Sequence, residues 1–485
     1  MLRVDHRARH ALFDVDATRR IEVLAQAALP PHTLMQRAGV AVARLALAIA
    51  PHSRHVWIAC GPGNNGGDGL EAAVHLQRSG KSVVLTLLGN PEMAPPDAAV
   101  SYRRALEAGV PISESPPPDF DLGIDAMLGI GGSRAPEGRM AEWIRLMNAG
   151  SATLLAVDAP TGLQADTGTV AQPHIEASHT LALLTLKPGL FTAHGRDAAG
   201  AVWLDDLAVS AAICAQQQHI EPAAWLAGAP TVTQRLHASH KGSYGDVAVI
   251  GGAPGMTGAA LLAASAALHA GAGRVFVGLI DQPSMSVDPS QTELMFRPLE
   301  AIDFKTMTVV CGCGGGQAIG EPLARILSTS ARLVIDADAL NGIAIDSKLQ
   351  ALLRARTRRL PATVLTPHPL EAARLLDCTA ADVQGDRMAA ARLMAQRFHC
   401  TVVLKGSGTI IAAPGQTPVV NSTGNARLAT AGTGDVLAGM IGAALATRIA
   451  PFEAACEAVY RHGLIADQWP LDARPLTAGM LSKLR

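Results

Sequence analysis

The feature that most constrains the fold of this chain is a repeated local pattern of apolar and glycine-rich segments. A short apolar run is followed by a glycine-rich turn and then by an Ala- and Leu-rich segment with helical spacing. This alternation is typical of βαβ units, in which helices connect the parallel strands of a buried sheet. In the first half it predicts a loop over 61–69 and a helix over 70–79. The predicted strands of this half are His55–Cys60, 82–88, 120–125 and 153–158.

Two regions with this pattern are separated by a stretch that lacks it. Residues 208–230 include three consecutive glutamines and two prolines, which favours a linker. We expect a first domain over 1–212, a linker over 213–229 and a second domain over 230–485. The predicted strands of the second half are 246–250, 274–278, Thr308–Cys311, 333–336, 363–366 and 401–405, and its predicted helices are 258–270 and 434–446. Because the halves share the pattern but not the motifs, we predict two different α/β domains rather than a duplication.

Composition and charge limit the classes of partner. Of the 485 residues, 49% are apolar and 17% are charged, as in globular proteins. A formal net charge of -1 gives no electrostatic reason to expect nucleic acid or an anionic membrane as a partner. The start of the chain is densely charged and does not resemble a signal peptide, so we expect no export. No uncharged apolar run reaches about 20 residues, so we expect no membrane span. The seven cysteines are scattered and odd in number, which favours reduced thiols in a cytoplasmic protein.

A polar, glycine-rich segment follows the first long strand. Residues 61–66 satisfy GxGxxG between a strand and a helix, the context in which backbone approaches a pyrophosphate. The acidic residue that a dinucleotide-binding fold places after the second strand is missing, because that strand ends in Leu-Leu-Gly-Asn. Asn64, Asn65 and Asp68 make the segment unusually polar. The plain alternative is a tight turn with Asp68 near the N-cap of the helix.

Two further strands end in carboxylates, Asp125 and Asp158. Because the carboxyl ends of parallel strands meet at one edge of a sheet, Asn65, Asp125, Asp158 and Thr161 can converge there. All four supply oxygen ligands, which suit an alkali or alkaline-earth cation and not zinc. Each aspartate could instead cap the segment that follows it.

Five motifs of the first half resemble those of the NAD(P)H-hydrate epimerase domain, the YjeF N-terminal family, over about residues 11–209. They are LMQRAG at 34–39, GNNGGDG at 63–69, DAMLGIG at 125–131, VDAPTG at 157–162 and LKPGL at 186–190. The resemblance implies a Rossmann-like αβα sandwich. It also implies an isomerase that interconverts the R and S epimers of hydrated NAD(P)H at carbon 6 of the nicotinamide ring.

By motif position, the resemblance places a potassium ion at Asn65, Asp125 and Thr161, and Asp158 at the reacting ring. A carboxylate suits that position, because inverting the carbon requires a bond to open and reclose while a proton is shuttled. Ile130 and Thr161 depart from the Thr and Ser of the family, although Thr161 keeps a hydroxyl. The implied substrate-binding residues are Asn64, Asn65, Gly66, Gly67, Asp68, Gly129, Ile130, Gly131, Gly132, Ser133, Arg134, Ala135 and Asp158.

A second glycine-rich segment, AGTGD at 431–435, opens an apolar helix. Glycines at a helix N-terminus expose backbone N–H groups and the positive end of the helix dipole, which stabilise a transferred phosphoryl group. Asp435 is placed to take a proton from a substrate hydroxyl. The chain has no GxxxxGK[ST] motif, because 241–243 lacks the upstream glycine, so a P-loop enzyme is excluded. The plain alternative is a capped helix start.

The segment KGSGT at 405–409 follows a strand and can wrap nucleotide phosphates with a lysine and backbone N–H groups. Together with HKGSYGDVAVIGG, GCGGG, DADALN, LTPHPLEAARLL and the segment around AGTGD, it resembles the ADP-dependent NAD(P)H-hydrate dehydratase domain. That domain belongs to the ribokinase-like superfamily, and the match spans about residues 233–467. Leu370 replaces the usual glycine of TPHPGE, and Cys313 and Gly315 alter the usual GPGLG.

The second resemblance implies that ADP phosphorylates the ring hydroxyl of the S epimer, with Asp435 as base and magnesium accompanying the nucleotide. Phosphate then leaves, and NAD(P)H and AMP are the products. The implied nucleotide-binding residues are Lys405, Gly406, Ser407, Gly408, Thr409, Gly432, Thr433 and Gly434. The implied contacts to the hydrate are Ala260, Gly314, Gly316, His368 and Asp435. His368 could instead be only a polar turn residue between two prolines.

Together the resemblances imply a bifunctional isomerase and lyase of metabolite repair, a cytoplasmic homo-oligomer that takes NADHX, NADPHX and ADP. A dehydratase specific for one epimer would strand the other without an epimerase. The alternative is a kinase of a vitamin precursor alcohol fused to a non-catalytic binding module. Asp158 and the intact GNNGGDG argue against a silent first domain, and neutral charge with few aromatics argues against RNA binding.

Overall fold

The structure, a computed structural model, describes residues 1–132, 134–210, 215–216, 218–231, 236–280, 285–357, 359, 362–470 and 474–484. The chain divides into two compact units, Met1–Leu226 and Ala227–Arg485. The division lies within the segment 213–229, of which residues 213, 214 and 217 are outside the described residues. Each unit is an α/β structure of its own.

Unit 1 contains ten strands and six α-helices among its described residues. The strands are β1 (Leu2–Arg3), β2 (His10–Leu12), β3 (His55–Cys60), β4 (Ser82–Leu87), β5 (Ile112–Ser113), β6 (Leu122–Ala126), β7 (Thr153–Val157), β8 (His179–Leu183), β9 (Ala201–Asp205) and β10 (Ala224–Leu226). The helices are α1 (Val15–Ala27), α2 (Thr33–Ile49), α3 (Asn64–Arg78), α4 (Pro96–Glu107), α5 (Gly138–Ala149) and α6 (Gly195–Ala198).

The sheet of unit 1 runs in the order β1-β9-β8-β7-β6-β3-β4-β5. Its strands are parallel except for β1, which pairs antiparallel with β9. Strands β2 and β10 pair antiparallel with each other. Because parallel sheets are covered on both faces, this order predicts a helical layer on each side.

Alternate residues of β3 pack into two different cores. Val56, Ile58 and Cys60 belong to the core that includes residues of α2 and α3. Trp57 and Ala59 belong to the core that includes residues of α5. Since successive strand residues point to opposite faces, the sheet lies between two helical layers. The αβα sandwich predicted for the first domain is therefore confirmed.

Helix α3 begins at Asn64, so the prediction of a loop over 61–69 followed by a helix from residue 70 was wrong. The glycines serve close packing rather than a loop. A Cβ atom built on Gly66 would lie 2.0 Å from the carbonyl oxygen of Gly61, and one on Gly69 would lie 2.6 Å from the Cβ of Ala126. Asp68 lies inside the helix, so it is not the N-cap, which is Gly63.

Unit 2 contains nine strands and ten α-helices among its described residues. The strands are β11 (Asp246–Gly251), β12 (Arg274–Leu279), β13 (Met295–Phe296), β14 (Thr308–Cys311), β15 (Arg332–Ile335), β16 (Thr363–Leu365), β17 (Thr401–Leu404), β18 (Ile410–Ala412) and β19 (Val419–Val420). The helices are α7 (Thr257–His269), α8 (Gly320–Thr329), α9 (Ala337–Ile345), α10 (Ser347–Thr357), α11 (Pro369–Leu376), α12 (Ala380–Gly385), α13 (Arg387–Phe398), α14 (Thr433–Ala446), α15 (Pro451–Gln468) and α16 (Ala478–Leu481).

The sheet of unit 2 runs in the order β13-β12-β11-β14-β15-β16-β17-β18-β19. Its strands are parallel from β13 to β17. Strand β18 pairs antiparallel with β17, and β19 pairs antiparallel with β18. Since its strand order differs from that of unit 1, the prediction of two different α/β domains is confirmed.

Helix α14 is the buried central helix of unit 2. It is apolar on all sides and packs against α7 and the middle strands. A Cβ atom built on Gly439 would lie 2.0 Å from the carbonyl oxygen of Ala263 in α7, and one on Gly442 would lie 2.4 Å from Val310 in β14. No helix within the described ranges, α14 included, is both long and apolar enough to cross a membrane.

Candidate active sites

The first candidate site is a cavity of about 380 Å³ in unit 1. It is lined by α1, the start of α3, the loop over 127–132 and the residue that follows β7. The predicted substrate-binding residues that line it are Asn64, Asn65, Asp68, Gly129, Ile130, Gly131, Gly132 and Asp158. Gly66 and Gly67 are buried in α3, and Arg134 and Ala135 are exposed outside the cavity. Ser133 lies outside the described residues.

Asp158 follows β7 in the left-handed backbone region, with a φ of 66°. Its Oδ1 accepts hydrogen bonds from the backbone N–H of Leu183, at 3.2 Å, and from Nζ of Lys187. Its Oδ2 points toward Gly129, where a Cβ atom would lie 3.3 Å from Oδ2 and 3.2 Å from Oδ1 of Asn65. The structure thus brings the side chains of Asn65 and Asp158 close to Gly129. Because this glycine has no side chain, space remains between the two polar groups.

Asp125 and Thr161 are in direct contact and fully buried. Oδ1 of Asp125 accepts from Oγ1 of Thr161 at 2.7 Å, and its Oδ2 accepts from the backbone N–H of Thr161 at 2.8 Å. Oγ1 of Thr161 in turn accepts from the backbone N–H of Leu128 at 3.0 Å. Burial raises the pKa of Asp125 to about 6, although these hydrogen bonds oppose the rise. Both side chains lie beneath the 127–132 loop and do not line the cavity.

The side-chain amide of Asn65 has a buried oxygen and a buried nitrogen, and neither has a hydrogen-bond partner among the described residues. Buried polar atoms without partners are rare in folded proteins because each costs free energy. An amide oxygen is also a ligand that hard cations accept. The unpaired amide therefore fits a site completed by a cation or a polar substrate group.

Further acidic groups surround the first cavity. Burial raises the pKa of Asp68 well above its ordinary value, and the carboxylate of Asp158 raises it further. Burial also raises the pKa of Glu22, again with a contribution from Asp158. The residues Glu22, Arg19 and Lys187 line the cavity but were not predicted as site residues. Lys187 belongs to the LKPGL motif, so the sequence contained a signal that could have identified it. Arg19 and Glu22 lie on α1, and no local pattern could place that helix beside the cavity.

The second candidate site lies at the N-terminus of α14 in unit 2. Nζ of Lys405 is 2.7 Å from Oδ1 of Asp336, and 3.9 Å from Oε2 of Glu371. A Cβ atom built on Gly434 would lie 3.3 Å from the same Nζ. The structure therefore places the ammonium group of Lys405 beside the predicted anion hole, next to Gly434.

Asp435 lies in the first turn of α14. One of its carboxylate oxygens, one of Asp336 and Sγ of Cys313 all lie within 4.8 Å of one another. Burial, followed by the negative charge of Asp336, raises the pKa of Asp435 to about 6, while the thiol of Cys313 and Lys405 oppose the rise. A carboxylate with this pKa can accept a proton near neutral pH.

Three glycines of the two segments predicted to bind phosphate have backbone conformations that favour glycine. Gly432 has a φ of 88° and is the N-cap of α14, while Gly406 and Gly408 have φ values of 131° and 59°. Oγ1 of Thr409 donates to the carbonyl of Gly406 at 3.1 Å. Oγ1 of Thr433 lies within hydrogen-bond distance of the carbonyls of Leu428 and Thr430, which precede the helix, at 2.9 and 3.0 Å. Both hydroxyls stabilise local turns.

The residues predicted to contact the hydrate have different environments. Ala260 has no exposed surface, so its side chain is part of the core. Gly314 and Gly316 have φ values of 58° and 53°. His368 caps α11, because its Nδ1 accepts from the backbone N–H groups of residues 370 and 371 at 3.0 and 3.3 Å. Its side chain is 45% exposed, so the ring caps the helix and also faces solvent.

Comparisons with known proteins extend over both units. A family model described as YjeF-related protein N-terminus matches residues 31–189, and one described as NAD(P)H-hydrate dehydratase matches residues 247–484. The Bifunctional NAD(P)H-hydrate repair enzyme Nnr of Escherichia coli (strain K12) is 36% identical over 474 residues, covering 93% of this chain and 87% of that protein.

Two further proteins match the second half of the chain. The ADP-dependent (S)-NAD(P)H-hydrate dehydratase of Neisseria meningitidis serogroup B is 44% identical over 255 residues, covering 51% of this chain and 84% of that protein. A crystal structure of the ADP/ATP-dependent NAD(P)H-hydrate dehydratase from Bacillus subtilis, co-crystallized with ATP/Mg²⁺, is 30% identical. It covers 52% of this chain and 91% of that chain, with a TM-score of 0.45.

Proposed function

The chain belongs to the bifunctional NAD(P)H-hydrate repair enzymes, and from this premise we propose which residues carry each step. It is an NAD(P)H-hydrate epimerase and an ADP-dependent NAD(P)H-hydrate dehydratase. We assign the epimerase to residues 1–212 and the dehydratase to residues 230–485, with 213–229 as linker. The two separate family matches, one on each side of that segment, support this assignment.

The observation that carries the epimerase proposal is Asp158, which has one oxygen anchored and the other facing the cavity. In the proposed step this carboxylate takes the proton of the hydroxyl on carbon 6. The bond between carbon 6 and the ring nitrogen breaks as the carbonyl forms, and the nitrogen takes up a proton. Reclosure on the other face of the carbonyl forms the other epimer and returns both protons.

We propose that the cavity-lining residues of 64–68 and 129–132 hold the hydrate, as the resemblance implies for 64–68 and 129–135. We also propose a potassium ion held by Asn65, Asp125 and Thr161. The unpaired amide of Asn65 and the buried oxygen-rich pair of Asp125 and Thr161 support that ion. When bound, it would supply a fixed positive charge near the reacting ring.

For the dehydratase we propose that Asp435 takes the hydroxyl proton of the S epimer while the hydroxyl oxygen attacks the β-phosphate of ADP and releases AMP. Phosphate then leaves carbon 6 and a proton leaves carbon 5, which restores the ring double bond. Lys405 beside Gly434 supports binding of the nucleotide there. The proposed nucleotide contacts are Lys405, Gly406, Ser407, Gly408, Thr409, Gly432, Thr433 and Gly434.

Magnesium would be bound mainly by the phosphate oxygens of the nucleotide, because such ions take few protein carboxylates and obtain their other ligands from phosphate and water. Its charge would neutralise the transferred phosphoryl group.

We propose Gly314, Gly316 and His368 as the contacts to the hydrate. We do not include Ala260, because its side chain is fully buried. We further propose that the enzyme acts in the cytoplasm as a homo-oligomer without nucleic acid or membrane partners.

The deciding experiment mixes the purified protein with both epimers of hydrated NADPH, ADP and magnesium. Reduced-nicotinamide absorbance and free phosphate are followed together. We expect complete conversion with one phosphate released per NADPH. Conversion that stops at the fraction of one epimer would contradict the epimerase assignment. A stable phosphorylated product without phosphate release would support the alternative, a small-molecule kinase.

A further inference from the structure

The buried ion pair between Lys187 and Asp158 has no role in the steps above. Lys187 has no exposed surface, yet it lines the floor of the first cavity. Its Nζ donates to Oδ1 of Asp158 and, at 3.0 Å, to the carbonyl oxygen of Leu183. A buried ammonium group is costly unless it is paired and hydrogen-bonded. Within the described residues its ammonium group donates to the reacting carboxylate and to the strand beside it, which points to a role in the site.

The two oxygens of Asp158 differ in their surroundings. Oδ1 is held by two donors, Nζ of Lys187 and the backbone N–H of Leu183 at 3.2 Å. Oδ2 receives no hydrogen bond from the described part of the chain and is directed at Gly129. The donors therefore fix the plane of the carboxylate and leave one oxygen for the cavity.

Negative charge around Asp158 makes this pairing more important. Glu22 of α1, Asp68 of α3 and Asp97 in the first turn of α4 line the same cavity, and Arg19 of α1 is the other cation that lines it. Like charges nearby disfavour the ionised form of a carboxyl group, and an adjacent cation favours it. The buried ammonium group of Lys187 is the cation in contact with Asp158.

We propose that Lys187 is a positioning residue of the epimerase: it holds Oδ1 of Asp158, keeps the carboxylate ionised and directs Oδ2 to the hydroxyl on carbon 6. This inference rests on the proposed role of Asp158. Lys187 itself exchanges no proton with the substrate. Because the carboxylate is needed as a base, loss of Lys187 should affect turnover rather than substrate binding.

The test is Lys187→Met, which keeps the length of the side chain and removes its charge. We expect kcat of epimerisation to fall about 10²-fold at neutral pH with KM nearly unchanged. We also expect the pH below which activity is lost to rise by at least about one unit. The rates are read by chromatography of the two epimers, on the full-length chain without ADP.

Lys81→Met is the matched control. Its Nζ likewise makes two hydrogen bonds within unit 1, to the backbone carbonyls of Pro51 and Ser53, but Lys81 does not line the cavity. We expect its epimerase pH profile to be unchanged. Folding is followed by near-ultraviolet circular dichroism, to which the buried Trp57 and Trp143 of unit 1 contribute.

Several outcomes would overturn the proposal. Wild-type kcat in a folded Lys187→Met protein would do so, as would a lower kcat with an unshifted pH profile. If this variant does not fold, infrared difference spectra of the wild type against Asp158→Asn decide instead: a protonated carboxyl band from Asp158 at neutral pH contradicts the proposal. An absence of epimerisation in the wild type would reject the proposed function itself.

Discussion

The two units present the same residue type in opposite electrostatic settings. In unit 1, Asp158 contacts the buried ammonium group of Lys187. In unit 2, Asp435 faces another carboxylate, that of Asp336, while the nearby Lys405 is 2.7 Å from Asp336. The comparison teaches that the position of the cation differs: a lysine contacts the proposed base itself in unit 1, and the carboxylate beside the proposed base in unit 2. We therefore expect the two activities of one chain to respond differently to pH.

The largest expected effects come from removing either aspartate. Asp158→Asn should lower epimerisation by about 10³-fold, and Asp435→Asn should lower dehydration of the S epimer by about 10³-fold, because an amide cannot accept the proton. Chromatography of the epimers and reduced-nicotinamide absorbance measure the two rates. Each variant is the control for the other, since the second activity should persist. Loss of both activities in one variant would indicate misfolding rather than a lost base.

The second expectation concerns pH. Asp435 must be ionised to act as a base, and its pKa is raised to about 6 by burial and by Asp336. Dehydration of the S epimer should therefore be constant above about pH 7 and fall about tenfold per unit below about pH 5.5. Epimerisation is followed over the same interval for comparison. Initial rates of both reactions between pH 5 and 8 check this, and parallel profiles would remove the contrast between the units.

A smaller effect is expected from the monovalent cation. If potassium is held near Asn65, replacing it with lithium should slow epimerisation several-fold, because the smaller ion fits the same oxygen ligands poorly. Dehydration of the purified S epimer, with ADP and magnesium held constant, is the control and should change less. Equal epimerisation rates in the two salts would contradict the proposed ion.

Sequence patterns located the strands well and the site only in part. Strands β3 and β14 have the predicted bounds, because buried parallel strands are short apolar runs closed by glycine or polar residues. The predicted meeting of Asp125 and Thr161 is present, since Asp125 lies near the end of β6 and Thr161 follows the neighbouring parallel strand β7. The start of α3 was misplaced because glycines that allow close packing resemble glycines of a loop. The contacts of Lys187 and Cys313 depend on tertiary packing, which no local pattern encodes.

The smallest expected effect comes from Asp336→Asn, a substitution that leaves Lys405 near the proposed base without the carboxylate of Asp336, an arrangement closer to that of unit 1. Asp336→Asn removes the carboxylate that raises the pKa of Asp435 and frees Lys405 from its ion pair. The pH midpoint of dehydration should therefore move down, by about half a unit to one unit. ADP also titrates in this range, but its titration is the same for both proteins, so the difference in midpoint reports the protein alone. An unchanged midpoint, measured at saturating ADP, would mean that burial and not Asp336 sets the proton affinity of Asp435.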